Sequence, residues 1–242
     1  MNQWIYDAYR GGVSQDVYGA LGTIAFVIAM LYSLVHAWKL GIPFWKELII
    51  FVVVYVGQTL LLDVIWEELK SLKDVGFLGM YTVSNSIVRI FAVLPLFSLI
   101  LAPILRLKRR LVCDAIAMLP LLQAALCQPA CLLTGCCRGY ECAWGVYVAQ
   151  IDAYCFPVPI LEMVLSLLAF SYLLYRTIKR KFVSDGMLYP LMLVLFGAMR
   201  FLCEMLRDNQ KLLLGCSGVG LHAAFMLIVG IVWLLIERKI EK

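Results

Sequence analysis

The chain has 242 residues, of which 63% are hydrophobic and 15% charged, with a mean hydropathy of +0.90 and a net charge of +5. That balance excludes a soluble globular domain, and the lack of a basic cluster in any soluble stretch argues against a nucleic-acid partner. A polytopic membrane protein is predicted, with the positive charge carried by its loops.

The amino-terminal stretch MNQWIYDAYRGGVSQDVYG is polar and aromatic and lacks the basic start of a cleavable signal, so the first apolar run is expected to remain as a span. Because about 20 apolar residues cross a bilayer, seven spans are predicted: 18–38, 48–66, 83–105, 112–126, 158–175, 187–206 and 219–236. They form a single polytopic domain over 1–242. Lys39, Lys46, Arg106, Lys108, Arg109, Arg110, Arg176, Lys179, Arg180, Lys181, Arg238, Lys239 and Lys242 fall on one side of that layout. Arg10, Lys70, Lys73, Arg138, Arg207 and Lys211 fall on the other. The positive-inside rule then places the amino terminus outside and the carboxyl terminus in the cytoplasm.

The fourth predicted span runs into Cys127–Tyr147, CQPACLLTGCCRGYECAWGVY. Gly135 and Gly139 each weaken a helix interior by about 1 kcal/mol relative to Ala, and Pro129 lacks a backbone donor. The stretch is therefore expected to be broken rather than one regular helix. Broken backbone at membrane depth is tolerated only where it is buried in protein or lines a wet cavity, so this segment is expected to wall a site near the outer face. Six of the nine cysteines fall in or near it: Cys127, Cys131, Cys136, Cys137, Cys142 and Cys155. No pair has the C-x-x-C spacing of redox centres. Small apolar packing, disulfides and a thiolate metal site remain alternatives.

Two arginines, Arg89 and Arg200, lie inside predicted spans, where each is unfavourable by about 2.5–3.5 kcal/mol and must face a partner or a ligand. Gln58, Asp63, Asn85, Asp114, Gln123, Gln128, Glu162, Glu204 and His222 are the other polar groups predicted at membrane depth. Helix-to-helix hydrogen bonding or ion pairing accounts for any one of them. Arg200 and Glu204, four apart, share a helix face and suit an ion pair. His36 is expected near the cytoplasmic end of the first span, and His222 about a turn into the last.

Three segments together resemble the bacterial prolipoprotein diacylglyceryl transferases. CQPACLLTGCCRG with the later Trp144-Gly145 pair is similar to the family's Gly-Arg-x-Gly-Asn-Phe-x-Asn-Gly signature in its Cys-Cys spelling. GAMRFLCEMLRD, Gly197–Asp208, resembles the Tyr-Gly-x-x-Arg-Phe-x-x-Glu-x-x-Arg motif, the most specific of the three. FPVPILE, Phe156–Glu162, is similar to the family's His-Pro-x-Gln-x-Tyr-Glu, and Asp114 stands ahead of the signature as an Asp does in the family. Gly135, Gly139, Glu162, Gly197, Arg200, Phe201, Glu204 and Arg207 match. Gln128, Cys131, Phe156 and Phe196 replace the family's Arg, Asn, His and Tyr, and TVSNSIVRI holds no His where the family's His-Gly-Gly is expected.

The resemblance implies transfer of a diacylglyceryl group from phosphatidylglycerol to a lipoprotein cysteine in the bacterial plasma membrane, with no cofactor and no metal. Arg200, Glu204 and His222 are then the candidate catalytic residues. Arg207, Arg89, Arg138, Gln128, Gly135, Gly139 and Glu162 are the candidate substrate-binding residues, with Arg89 or Arg138 supplying the second cation absent at position 128. Two alternatives stand beside it: a catalytically altered relative that binds an anionic phospholipid as carrier, chaperone or partner subunit, and a membrane thiol oxidoreductase. The fold class expected is an all-α integral membrane protein of seven transmembrane helices with a broken, Gly/Cys-rich outer-side segment.

Overall fold

The computed structural model describes residues 14–53, 97–135, 137–148, 151–208 and 217–240. In chain order its helices are α1 (Ser14–Lys39), α2 (44–53), α3 (97–104), α4 (Arg109–Ile116), α5 (Leu119–Thr134), α6 (Val158–Lys179), α7 (Leu188–Leu206) and α8 (Gly218–Ile240). Between α5 and α6 lies a hairpin of β1 (Glu141–Val148) and β2 (Ala153–Cys155). Among the described residues, five segments are long and apolar enough to cross a membrane: Tyr18–Lys39, Arg109–Thr134, Val158–Lys179, Leu188–Leu206 and Gly218–Lys239. The predicted spans 48–66 and 83–105 lie mostly outside the described residues, which include only the helical pieces 44–53 and 97–104.

Burial is graded as a lipid-embedded bundle requires. The α4–α5 segment and α7 are the most enclosed, and Tyr189, Met192 and Phe196 of α7 are fully buried. The outer helices expose apolar side chains: Ile24, Ile28, Leu31 and Val35 on α1, Val164, Leu168, Tyr172 and Tyr175 on α6, and Ile228, Val232 and Leu235 on α8. Such faces suit lipid, which solvates them as well as a protein interior would. Helices α7 and α8 pack with backbones almost touching. A Cβ built on Gly197 would meet Ala223 O at 2.8 Å, and one on Gly230 would meet Pro190 O at 2.9 Å, so small residues set this contact.

The fourth predicted span is corrected at both ends. It begins at Arg109, and it breaks at Ala117–Met118, just ahead of Pro120, which stands in the first turn of α5 and cannot donate back to the preceding turn. Pro129, expected to help break the helix, lies inside α5, which runs on to Thr134. Neighbouring helices accommodate such a proline in a span. The helix stops at Gly135, whose left-handed φ of 65° forms the C-cap. Cys127–Tyr147 is thus helix in its first half and hairpin in its second. The hairpin is a departure from the all-helical expectation: the sequence ECAWGVYV carries no hydrophobic alternation in a chain where apolar residues are everywhere.

The two ends of the bundle differ in charge. Of the described basic residues, only Arg138, Arg200 and Arg207 lie at the hairpin end; the others gather at the far end, where α1, α6 and α8 finish and α4 and α7 begin. A buried carboxylate ties that far end together. Asp114 of α4 accepts hydrogen bonds from Ser184 Oγ (2.7 Å) and from the backbone N–H groups of Gly186 (2.8 Å), Leu188 (3.1 Å) and Tyr189 (3.2 Å). It caps the amino terminus of α7 from a different helix, satisfying donors that would otherwise be orphaned in the core.

Candidate functional site

At the hairpin end, α6 and the end of α7 bring four charged side chains together. Arg207, immediately after α7, donates through Nη2 to Glu162 Oε2 of α6 at 2.5 Å and through Nη1 to Glu204 Oε1 at 2.6 Å. Arg200 donates through Nη1 to Glu162 Oε1 and reaches Glu204 Oε1 through Nη2 at 3.4 Å. Each carboxylate therefore faces two guanidiniums, and the cluster is neutral. The Arg200–Glu204 pair anticipated from spacing is present, and Glu162 completes it.

Ser217, at the start of α8, donates to Glu204 Oε2 at 2.7 Å while accepting from Gly220 N at 3.1 Å. One hydroxyl both caps the helix and steadies the carboxylate. The side chains are enclosed: Glu162 is 1% exposed and Glu204 0%, while Arg207 is 4% and Arg200 13% exposed. Arg200 is the most accessible member. Burial works against the charge on Arg207, but the carboxylates of Glu162 and Glu204 outweigh it and hold the guanidinium more firmly protonated than in water.

The hairpin segment is bound to this cluster through its backbone. Gly139 forms an antiparallel bridge with Arg207: Tyr140 N donates to Leu206 O at 3.2 Å and Asp208 N to Arg138 O at 3.4 Å. On its other side Gly139 N donates to Phe156 O at 3.0 Å and Phe156 N to Tyr140 O at 3.0 Å. A Cβ at residue 139 would sit 2.8 Å from Phe156 O and 2.9 Å from Leu206 O, so only glycine fits between the two backbones. Phe156, where the resemblance expects His, is held between aromatic rings, stacked on Tyr140 and edge-on to Trp144, each at 5.6 Å. Its role here is to fasten the hairpin. Phe196, in place of the expected Tyr, is fully buried in the apolar core.

Beside the bridge is a small, half-open pocket lined by residues that include Cys131, Gly135, Arg138, Cys155 and Phe156. Arg138 stands 3.9 Å from Asp208, a loose pair that leaves its guanidinium on the cavity wall. Gln128 lies one turn before Cys131 on α5; it is 5% exposed, and its Oε1 has no hydrogen-bond partner among the described residues. His222 is buried in the second turn of α8 with Nδ1 2.7 Å from Gly218 O. Since a carbonyl only accepts, Nδ1 carries a proton in this contact. Burial also pushes the Cys155 thiol up from its ordinary pKa.

Of the candidates named from sequence, Glu162, Arg200, Glu204 and Arg207 meet directly. Gly139 joins them through backbone, while Gly135 and Arg138 line the adjoining cavity. Gln128 and His222 are buried at the same end of the bundle, and Arg89 lies outside the described residues. Ser217 went unnoticed, although Ser-Gly-Val-Gly ahead of an apolar run is a helix-start signal.

A multi-pass helical membrane protein with a buried arginine–glutamate cluster at one end, roofed by a glycine-pinned hairpin, is the class that fold and site define. A comparison with curated proteins returns no match. Residues 6–236 match the family described as prolipoprotein diacylglyceryl transferase, and the chain belongs to that family. Membership supports a diacylglyceryl transferase-like function in general terms.

Proposed function

We propose that the chain transfers a diacylglyceryl group from phosphatidylglycerol to the cysteine thiol of a prolipoprotein in the bacterial plasma membrane. It would do so from seven spans, with the amino terminus outside and the carboxyl terminus in the cytoplasm. The observation that carries the proposal is the Gly139–Arg207 bridge, which fastens the glycine-interrupted hairpin to the buried Arg200–Glu162–Arg207–Glu204 cluster in a chain of this family.

In the transfer, the acceptor thiolate attacks the glycerol carbon that bears the phosphate ester. The C–S bond forms as the C–O bond breaks, the electron pair leaves with glycerol phosphate, and the thiol proton passes to a base. Arg200, the accessible member of the cluster, holds the phosphodiester and stabilises its departing charge. Glu162 and Glu204 fix the guanidiniums in place. Arg138, on the cavity wall, supplies a second cation, with Arg89 the other candidate. The amide of Gln128 contacts the headgroup, and the two glycines, Gly135 and Gly139, give the cavity its shape. His222, with its proton on Nδ1, offers Nε2 as the base.

A specific observation favours a second function, binding of an anionic phospholipid without transfer: the cluster is internally neutral, each guanidinium being already engaged by carboxylates. One assay separates the two. Purified protein is incubated with radiolabelled phosphatidylglycerol and a peptide carrying a lipoprotein-type acceptor cysteine, and glycerol phosphate release is measured. Release that is lost in Arg200→Gln supports the transferase; lipid binding without release supports the second function.

A further inference from the structure

The charged end opposite the hairpin contains an open groove lined by residues that include Arg106, Lys108, Arg110, Leu111, Ser184 and Asp185. Its charges are not balanced. Asp185 is already paired with Arg176 at 2.8 Å and with Arg180, and Arg110 with Glu237. Arg106 and Lys108 are exposed and have no carboxylate partner among the described residues.

Arg106 is also held in an unusual conformation. Its φ is +51°, at the end of α3, where Arg106 N donates to Pro103 O at 3.2 Å and Leu107 N to Ala102 O at 2.9 Å. That double bond is the Schellman termination, whose left-handed position normally takes glycine because a Cβ there is strained by about 1 kcal/mol or more. Backbone strain of this kind tends to persist where a side chain is needed in a particular place. Directly below, α3 presents Ile100 and Ile104, four apart on one face and 62% and 69% exposed, with Leu99 51% exposed beside them.

We propose that this groove is a binding site for an anionic phospholipid of the leaflet at that end of the bundle, separate from the hairpin-end cluster. The phosphate sits between Arg106 and Lys108, and the acyl chains run along Ile100 and Ile104. Positive charge that serves only to orient spans needs neither a groove nor an arginine in a glycine conformation. Exposed apolar side chains on the helix that ends at these cations match a lipid better than a free anion.

The test uses the full chain in mild detergent, with phosphatidylglycerol, phosphatidylcholine or soluble glycerol phosphate added, and native mass spectrometry counting bound molecules. The double variant Arg106→Gly, Lys108→Gln removes both charges while giving the helix end its preferred residue, so the fold is retained. Wild type should hold one more phosphatidylglycerol than the double variant, with affinity at that site falling roughly 30-fold for two lost surface charges. Phosphatidylcholine should not substitute. Equal phosphatidylglycerol retention by the two proteins, or equal retention of phosphatidylcholine, would overturn the site. Glycerol phosphate binding as tightly as the lipid would overturn the role of the tails. The result is independent of transferase activity, because Arg200 and its partners are untouched in the variant.

Discussion

Replacing Glu162 with Gln keeps the side-chain shape and removes one negative charge from a cluster in which it contacts both Arg200 and Arg207. Two guanidiniums are then left facing Glu204 alone, and the cluster changes from neutral to a net positive charge at a site where Glu162 is 1% exposed. Breaking a buried pair by removing one partner is destabilising by about 3–5 kcal/mol, most of it from the uncompensated charge. For a chain of this size that corresponds to a fall in thermal midpoint of roughly 10 °C, read by scanning fluorimetry in detergent. The decisive comparison is a double-mutant cycle. Arg207→Gln alone leaves the cluster negative, whereas Glu162→Gln with Arg207→Gln leaves Arg200 against Glu204 and restores neutrality. The double variant should therefore be less destabilised than the sum of the singles by at least about 1 kcal/mol. Strict additivity would refute the claim that these four residues form one electrostatic unit.

Gly139→Ala would place a methyl group 2.8 Å from Phe156 O and 2.9 Å from Leu206 O. The hairpin should detach from α7, seen as faster amide exchange at Tyr140 and Asp208 and a loss of whatever activity the site supports. Asp114→Asn keeps one acceptor oxygen where four donors converge and should destabilise the chain by about 1–3 kcal/mol while sparing ligand binding at the hairpin end, checked by thermal unfolding and a lipid-binding assay. In maleimide labelling at neutral pH, the partly exposed Cys142 should react well before Cys155, which is 1% exposed with its pKa raised by burial; equal rates would show that the hairpin does not seal Cys155.

How far the sequence discloses this molecule depends on the range of each interaction. Apolar run length alone locates α1, α6, α7 and α8, and the i,i+4 spacing of Arg200 and Glu204 announces their pairing. Glu162 belongs to the same cluster but stands 38 residues away on another helix, so its depth in an apolar run and its likeness to a family motif mark it as special without revealing its partner. Asp114 was noticed as a buried acid, yet its task as a cap for α7 involves donors 70–75 residues downstream and leaves no local trace. The hairpin was hidden for a different reason. In a membrane protein both faces of a strand can be apolar or aromatic, so ECAWGVYV lacks the period-two signal that marks strands in water. Pro129 misled in the same way, because a rule calibrated on soluble helices overstates the effect of proline where neighbouring helices surround it.

The near-contact of α7 and α8 at Gly197 and Gly230 restricts traffic through the bundle. With main chain against main chain there is no seam wide enough for a hydrocarbon tail, so these two helices act as one closed wall. On the proposed transfer, a diacyl molecule reaching Arg200 from the bilayer would have to enter through another side of the bundle, and inserting bulk at residue 197 would prise this wall apart without opening that route.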